Sequence, residues 1–395
     1  MQENAHVLYY RQPAANWNEA LPLGNGRLGA MVYGSVENEC YSLNEDTLWS
    51  GYPMHHTREN APAAFRQARD MVLQGKYEQA QQLMEKEHTG LWSQLYLSAG
   101  EMQLSFHYAT PVEQYERKLD MRTAVHTVSY RTGGVSYKRE SFISHPDQCL
   151  VIRLSCDREQ GLDFSFRLSP ALNAHLLMEE KALAFQGNAP VCHSLHAHET
   201  EGKSGMLYGE KDEDKGMGFY ARTEMEHQGG YAIRRGGAIH VFGASQATLY
   251  LDIRTSFNGW NRHPVLEGKP YVQPCRDTLQ KAKETGFDAL LSRHIHDHQA
   301  LYQACTLSLG DGPSLPTDER LYAHEEGKPD NALYALYFHF ARYLTIASSR
   351  EGTQAANLQG IWCHDFNPPW GSDFHTNINL QMNYWLPEVA NISEC

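Results

Sequence analysis

Apolar and polar positions alternate over much of the first 255 residues. The runs MQLSFHY (102–108), EQYERKLDMRTAVHTVSYRT (113–132), VSYKRESFIS (135–144), QCLVIRLSCD (148–157) and LDFSFRLSP (162–170) are strand-like. Turn signals at Gly133-Gly134 and Pro146-Asp147 separate them, and the pattern resumes over 218–255. Many short strands at regular spacing predict a large antiparallel β-sandwich. Residues 171–216 are irregular and rich in histidine, which predicts loops or weak strands.

Helical spacing interrupts this texture once, over 60–88. Ala64, Ala68, Met71 and Val72, then Tyr77, Ala80, Leu83 and Met84, predict a helix pair broken near Gly75. Beyond residue 270 the period changes for good. Residues 276–304 predict two helices joined at Gly286, and Asp311–Glu326 is predicted to be a polar linking loop. Residues 330–347 predict the clearest helix, with Leu333, Leu336, Tyr337, Phe340, Ala341 and Leu344 as its apolar stripe. The order is a β domain over 1–270, a helical linker over 271–328 and the beginning of an all-α domain over 329–395. The chain stops at Cys395 in a helix-like run with no stop signal, so that domain is expected to continue beyond it.

Composition narrows the partners. The net charge of −13 disfavours nucleic acid and anionic membranes, and leaves neutral ligands open. Its 22 Tyr and 7 Trp offer flat apolar faces with polar edges that suit sugar rings, although cores use them equally. No run approaches the roughly 18 apolar residues of a membrane span. No basic and apolar leader opens the sequence, and the eight Cys are scattered without CxxC pairs. Reduced thiols and a cytoplasmic location are the expectation.

Some motifs point to chemistry that their context argues against. Gly24-Asn25-Gly26-Arg27-Leu28-Gly29 matches GxGxxG, but no strand-turn-helix unit surrounds it, so a tight turn is expected instead of a nucleotide site. His294, His296 and His298 sit on an amphipathic helix without a glutamate base, and Cys192, His193, His196 and His198 lack ligand spacing; neither cluster is read as a metal site. Asn391-Ile392-Ser393 fits a glycosylation sequon that carries little weight without a secretory context.

The informative stretch is 354–395. Trp362 and Trp370 flank Asn367-Pro368-Pro369, whose prolines stiffen the loop; each indole is read either as a stacking face for a sugar or as a core plug. His375, Asn377 and Asn379 then alternate. In an extended segment they share one side; in a helix successive members diverge by about 200°. An extended 375–379 is the expectation if one imidazole and two amides converge, with a helix beginning after Asn379. The competing reading is that an asparagine merely caps that helix. An amide oxygen can accept a hydrogen bond from water but needs a carboxylate behind it to draw the proton away, and a second acid must protonate the leaving group. Asp365, Asp373 and Glu388 are near in sequence only.

These residues resemble glycoside hydrolase family 95, the α-L-fucosidases and their α-L-galactosidase relatives. The resemblance rests on WNEALPLGNGRLGAMVYGSVENECYSLNEDTLWSG (17–51), LYLSAGEMQLSF, YERKLDMRTAVHTVSY, RYLTIASSREGTQAANLQGIW and NPPWGSDFHTNINLQMNYW, in family order. It implies a β-sandwich, a helical linker and the beginning of an (α/α)6 barrel. It also implies inverting hydrolysis of terminal α-L-fucosyl residues, often α-1,2-linked to galactose, with no metal or organic cofactor and a fucosylated oligosaccharide as the partner. Asn377 and Asn379 match the family's water-holding asparagines and His375 its sugar-contacting histidine; Glu45 and Trp49 are further candidate contacts. The family's polarising aspartate and its glutamate general acid lie later in the barrel, so this chain alone is expected to be inactive. The sequence departs from the family pattern at Cys363, where Asn is common, and at Leu386-Pro387. A disaccharide phosphorylase of similar architecture, another inverting glycosidase and a non-catalytic carbohydrate-binding fragment are the alternatives.

Overall fold

The computed structural model describes residues 5–54, 58–88, 93–108, 111–179, 181–191 and 207–395; the Cys192–His198 cluster lies outside them. The first half holds β1 (Val7–Tyr10), β2 (Leu21–Gly24), β3 (Leu28–Val32), β4 (Asn38–Glu45), helices α1 (Ala61–Leu73) and α2 (Tyr77–Glu87), β5 (Gly100–Phe106), β6 (Val112–Asp120), β7 (Val125–Thr132), β8 (Val135–Ser144) and β9 (Cys149–Cys156). There follow β10 (Leu162–Pro170), β11 (Ala174–Met178), β12 (Ala182–Asn188), β13 (Gly218–Gln228), β14 (Tyr231–Arg235), β15 (Ala238–Ala244) and β16 (Gln246–Thr255). The rest is helical: α3 (Val272–Thr285), α4 (Phe287–Tyr302), α5 (Thr317–Glu325), α6 (Asn331–Ser348), α7 (Asn379–Asn383) and α8 (Trp385–Val389).

The strands form two antiparallel sheets. A nine-stranded sheet runs β1-β6-β7-β8-β9-β16-β13-β12-β11, and a seven-stranded sheet runs β14-β15-β10-β5-β4-β3-β2. The mainly β class expected from the alternation is what forms. In β5, Met102, Leu104 and Phe106 point inward between half-exposed Glu101, Gln103 and Ser105. The β7–β8 hairpin turns on Gly133 (φ 57°) and Gly134 (φ 75°), a pair of positive angles that side chains resist and a two-residue hairpin needs.

Strands β9 and β16 break the alternation and are buried on both faces. Helices α3 and α4 cover the outer face of the nine-stranded sheet, so Phe142, Val151 and Tyr250 meet Cys275, Leu279 and Leu290 in a second core. The main core fills the space between the sheets and extends to Leu336, Tyr343 and Ile346 of α6. No helix among the described residues is long and apolar enough to cross a membrane.

Two helical expectations need correction. The polar stretch 311–326 is not all loop, because α5 forms over Thr317–Glu325. Pro316 precedes it, Asp318 and Glu319 fall in its first turn, His324 in its last, and buried Arg320 pairs with Asp330 at 2.8 Å. The buried face of α6 is also rotated from the stripe expected. Leu333 and Leu336 are buried as expected and Phe340 and Leu344 are half-buried against the core, but Ala332, Ala335, His339, Arg342, Tyr343, Ile346 and Ala347 also face inward, while Tyr337 is 74% exposed. The inward face contains two polar residues with partners. Arg342 donates to the carbonyls of Leu301, Tyr302 and Cys305, capping the end of α4, and His339 bonds Leu307.

The GxGxxG match is a hairpin turn between β2 and β3, with Leu28 and Arg27 amides donating to Asn25 Oδ1 at 2.7 and 3.1 Å. Its glycines serve contact with α6. A Cβ on Gly24 would stand 2.3 Å from Ala347 O, and Gly26 N donates to that same carbonyl at 2.8 Å.

His294 and His298 are buried against the sandwich, with Nε2 bonded to Ala124 O at 3.3 Å and Met121 O at 2.7 Å. His298 stacks on Tyr302 with ring centroids 5.3 Å apart. Burial lowers their pKa values to about 4 and about 3. The folded state therefore holds them neutral while the unfolded chain protonates them near 6.5. Their contribution to stability is complete above pH 6.5 and is lost as pH falls toward these lowered values, by about 1.4 kcal/mol per pH unit for each ring. Thermal melts between pH 7 and pH 4.5 are expected to fall more steeply for the natural protein than for His298→Gln. Equal slopes would remove the histidines from the account of acid lability.

Candidate active site

The segment 349–384 lies across the open end of β4. Asn44 binds Cys363 through both its backbone groups, donating from Nδ2 to the carbonyl at 2.8 Å and accepting from the amide at 3.0 Å. Tyr96 donates its hydroxyl to Ile361 O at 2.8 Å and its amide to Gly371 O at 2.9 Å. Gln354 N donates to Asp46 Oδ2 at 2.9 Å. Asn357 Oδ1 accepts from Gln359 N and from Ser372 Oγ, which closes the loop on itself. Buried polar groups tie this loop to the sandwich at many points, so its exposed side chains are displayed from a fixed backbone.

The two tryptophans have different fates. Trp362 is only 6% exposed, packs in the main core and donates Nε1 to Leu23 O at 2.9 Å. Of the two readings of that indole, the core plug describes its placement. Trp370 is 74% exposed. It sits after the two prolines in a left-handed turn, with φ 51° at Trp370, 66° at Gly371 and 49° at Ser372. Such angles cost a non-glycine residue of the order of 1–2 kcal/mol, held here by buried Gly371 and Ser372.

Residues 375–379 are not extended. A turn covers 376–378, and α7 starts at Asn379. Leu380 N donates to His375 O at 3.0 Å, closing the turn, so His375, Asn377 and Asn379 issue from one compact bend and not from alternate positions of a strand. Isolated polar alternation without apolar partners has no sheet to join, and the local turn wins. Neither asparagine caps the helix: its N-cap is Ile378, with no side-chain cap bond. Asn377 and Asn379 are exposed. His375 Nε2 lies 2.9 Å from Asp373 Oδ1.

Trp49 lies beside this bend. Its ring stacks on Phe374 with centroids 5.2 Å apart and packs on Tyr96, and its Nε1 donates to Asp46 O at 3.0 Å. Glu45 is buried beneath it. Its Oε2 accepts from Thr47 N and Oγ1, and Arg27 stands 3.6 Å from its other oxygen. It therefore does not reach the surface as a direct sugar contact. Burial raises the pKa of Asp46, and adjacent Glu45 raises it further, so Asp46 holds its proton more readily than a free carboxyl. Asp46, Tyr96, Phe374 and the pairing of Asp373 were not singled out from the sequence as site residues. The acidic pair in NEDTLW and the spacing of Asp373 two before His375 were the available signals. Cys363, the departure from the family pattern, is buried, with its thiol pushed up to about 12 by desolvation, and the other described cysteines are also free thiols.

Residues 8–260 match the family model for the glycosyl hydrolase family 65 N-terminal domain, and residues 286–395 match that for the glycosyl hydrolase family 95 catalytic domain. The chain carries part of a glycosyl hydrolase family 95 catalytic domain. Its N-terminal domain is of the family 65 type, and the catalytic-domain match contains Trp370, His375, Asn377 and Asn379. The chain is 33% identical to "Alpha-L-fucosidase 2" of Arabidopsis thaliana over 98% of its length and 47% of that protein. It is 29% identical to "Probable alpha-fucosidase A" of Aspergillus niger over 95% of its length and 46% of that protein. It thus spans about half the length of these family relatives. A solved structure, "Putative kojibiose phosphorylase from human microbiome", shares the fold with a TM-score of 0.52 at 9% identity, covering 91% of this chain and 44% of that one.

Proposed function

We propose that this chain belongs to an inverting α-L-fucosidase that hydrolyses terminal α-L-fucosyl residues, α-1,2-linked to galactose, from neutral oligosaccharides. The observation that carries the reading is the similarity to α-fucosidases along nearly the whole chain, through the segment that displays His375, Asn377 and Asn379. In this reading residues 1–270 are the sandwich domain, 271–328 the linker and 329–395 the first part of an (α/α)6 catalytic barrel.

Asn377 and Asn379 accept hydrogen bonds from the attacking water through their amide oxygens and aim it at the anomeric carbon. His375, with Asp373 Oδ1 2.9 Å from its Nε2, donates to a fucose hydroxyl, and Trp370 and the Trp49–Phe374 stack border the sugar. Inversion needs a base and an acid on opposite faces, roughly 6.5–9.5 Å apart, with the water between. An amide supplies neither proton transfer by itself, so the carboxylate that polarises the asparagines and the general acid come from elsewhere in the polypeptide.

Hydrolysis of an α-1,2-fucosylated galactoside by the parent protein, independent of phosphate, is the expected result, with no fucose released by residues 1–395 alone. Turnover that requires phosphate would favour the phosphorylase reading. Release of fucose by residues 1–395 would contradict the division of labour proposed for the amides and the missing carboxylates.

A further inference from the structure

A cleft of about 350 Å³ opens on the sandwich side of the Trp49 loop, lined among others by Tyr52, Gln94, Phe257, Trp260, Arg262 and Pro264. Nothing in the proposed chemistry uses it. We infer that this cleft is a second carbohydrate subsite, which takes the leaving-group portion of an extended neutral oligosaccharide with Trp260 as its stacking face.

The first reason is the display of the indole. Trp260 is 86% exposed, yet it sits on a braced loop. Asn258 Nδ2 donates to Glu267 O at 2.7 Å, Arg262 pairs with Glu267 at 2.6 Å, and Glu267 also accepts from His263 N at 3.0 Å. His263 Nδ1 accepts from the amides of Val265 and Leu266, which leaves Nε2 to donate to Glu213 O at 3.0 Å. The His263 ring also lies against Tyr52, with centroids 5.0 Å apart. A large apolar face held in water by this many bonds is preorganised for a flat partner.

Position is the second reason. Ser50 and Leu95 exchange hydrogen bonds at 2.9 and 2.8 Å, and Ser50 Oγ also binds Gln94 Oε1 at 3.0 Å. The next residue, Tyr96, holds Gly371 of the Trp370 turn. One wall, 94–96, therefore backs both the cleft and the proposed fucose site, so a chain leaving one runs toward the other. The third is charge. Arg262 is balanced by Glu267, and the remaining lining is uncharged, which suits a neutral glycan better than an anionic one.

The inference rests on the fucosidase reading, and calorimetric titration of this chain separates the two. The probes are a neutral galactose-terminated tetrasaccharide, methyl β-galactoside and L-fucose. The natural chain is expected to bind the tetrasaccharide more tightly than methyl β-galactoside. Trp260→Ala weakens tetrasaccharide binding about three- to tenfold, Trp260→Phe restores most of it, and fucose binding is unchanged in both. Matching melting curves confirm that the variants fold. Equal tetrasaccharide affinity in Trp260→Ala, or no preference for the tetrasaccharide in the natural chain, would overturn the inference. Failure of the natural chain to bind fucose, with the tetrasaccharide result intact, would instead count against the fucosidase reading.

Discussion

Replacing Asn377 or Asn379 by alanine is expected to lower kcat of the parent protein on fucosyl galactosides by about 10²–10⁴-fold, the range typical of base catalysis, with KM changed far less. The argument begins with what these side chains do not do. Both are exposed, and neither caps α7, whose N-cap is Ile378. Their removal leaves the fold intact, and stability shifts by no more than about 0.5 kcal/mol. The turn that carries them is closed by backbone bonds from Leu380 to His375 and from Met382 to Ile378, which alanine preserves. A loss confined to kcat means that the amides act on water in the transition state. A rise in KM with kcat preserved would mean that they only bind sugar.

Arg27→Met is expected to destabilise the protein by about 3–5 kcal/mol, the cost of leaving buried Glu45 without its counter-charge and Asp252 with Arg254 alone. Arg27 pairs with Asp252 at 2.6 Å and with Glu45 at 3.6 Å, and donates to Gln148 and to Ile253 O. Glu45, Asp46 and Asp252 are all buried; Arg254 also pairs with Asp252 at 2.8 Å, so it is Glu45 that depends on the Arg27 guanidinium for its counter-charge. The same substitution loosens the loop that carries Trp49, because Glu45 anchors Thr47 and Asp46 anchors Gln354. Urea denaturation followed by circular dichroism measures the change. A loss below about 1 kcal/mol would mean that water or neighbouring protons neutralise the cluster without Arg27.

The sandwich was legible because strands such as β5 and β10 show a single buried face, and a period of two survives in the sequence. The helical cover over β9 and β16 was not, since burial on both faces erases that period. On α6 the apolar stripe located one edge of the buried face, through Leu333 and Leu336, and missed the rest. His339 and Arg342 are buried there because backbone carbonyls at the end of α4 and residue 307 satisfy them, a tertiary fact with no local signature. Within the site, the two tryptophans of one loop looked alike, and only packing against Leu23 separates the core indole from the exposed one. The extended 375–379 expected from the alternation is instead a turn leading into α7, because polar positions alternating without apolar partners have no sheet to join.

The anomeric configuration of the first product tests the central claim most directly. Proton nuclear magnetic resonance of the parent protein acting on an α-1,2-fucosylated galactoside, recorded before mutarotation, is expected to show β-L-fucose appearing first, as attack by an asparagine-held water requires. First appearance of α-L-fucose would mean a covalent intermediate or attack from the leaving-group side, and would contradict the role given to Asn377 and Asn379.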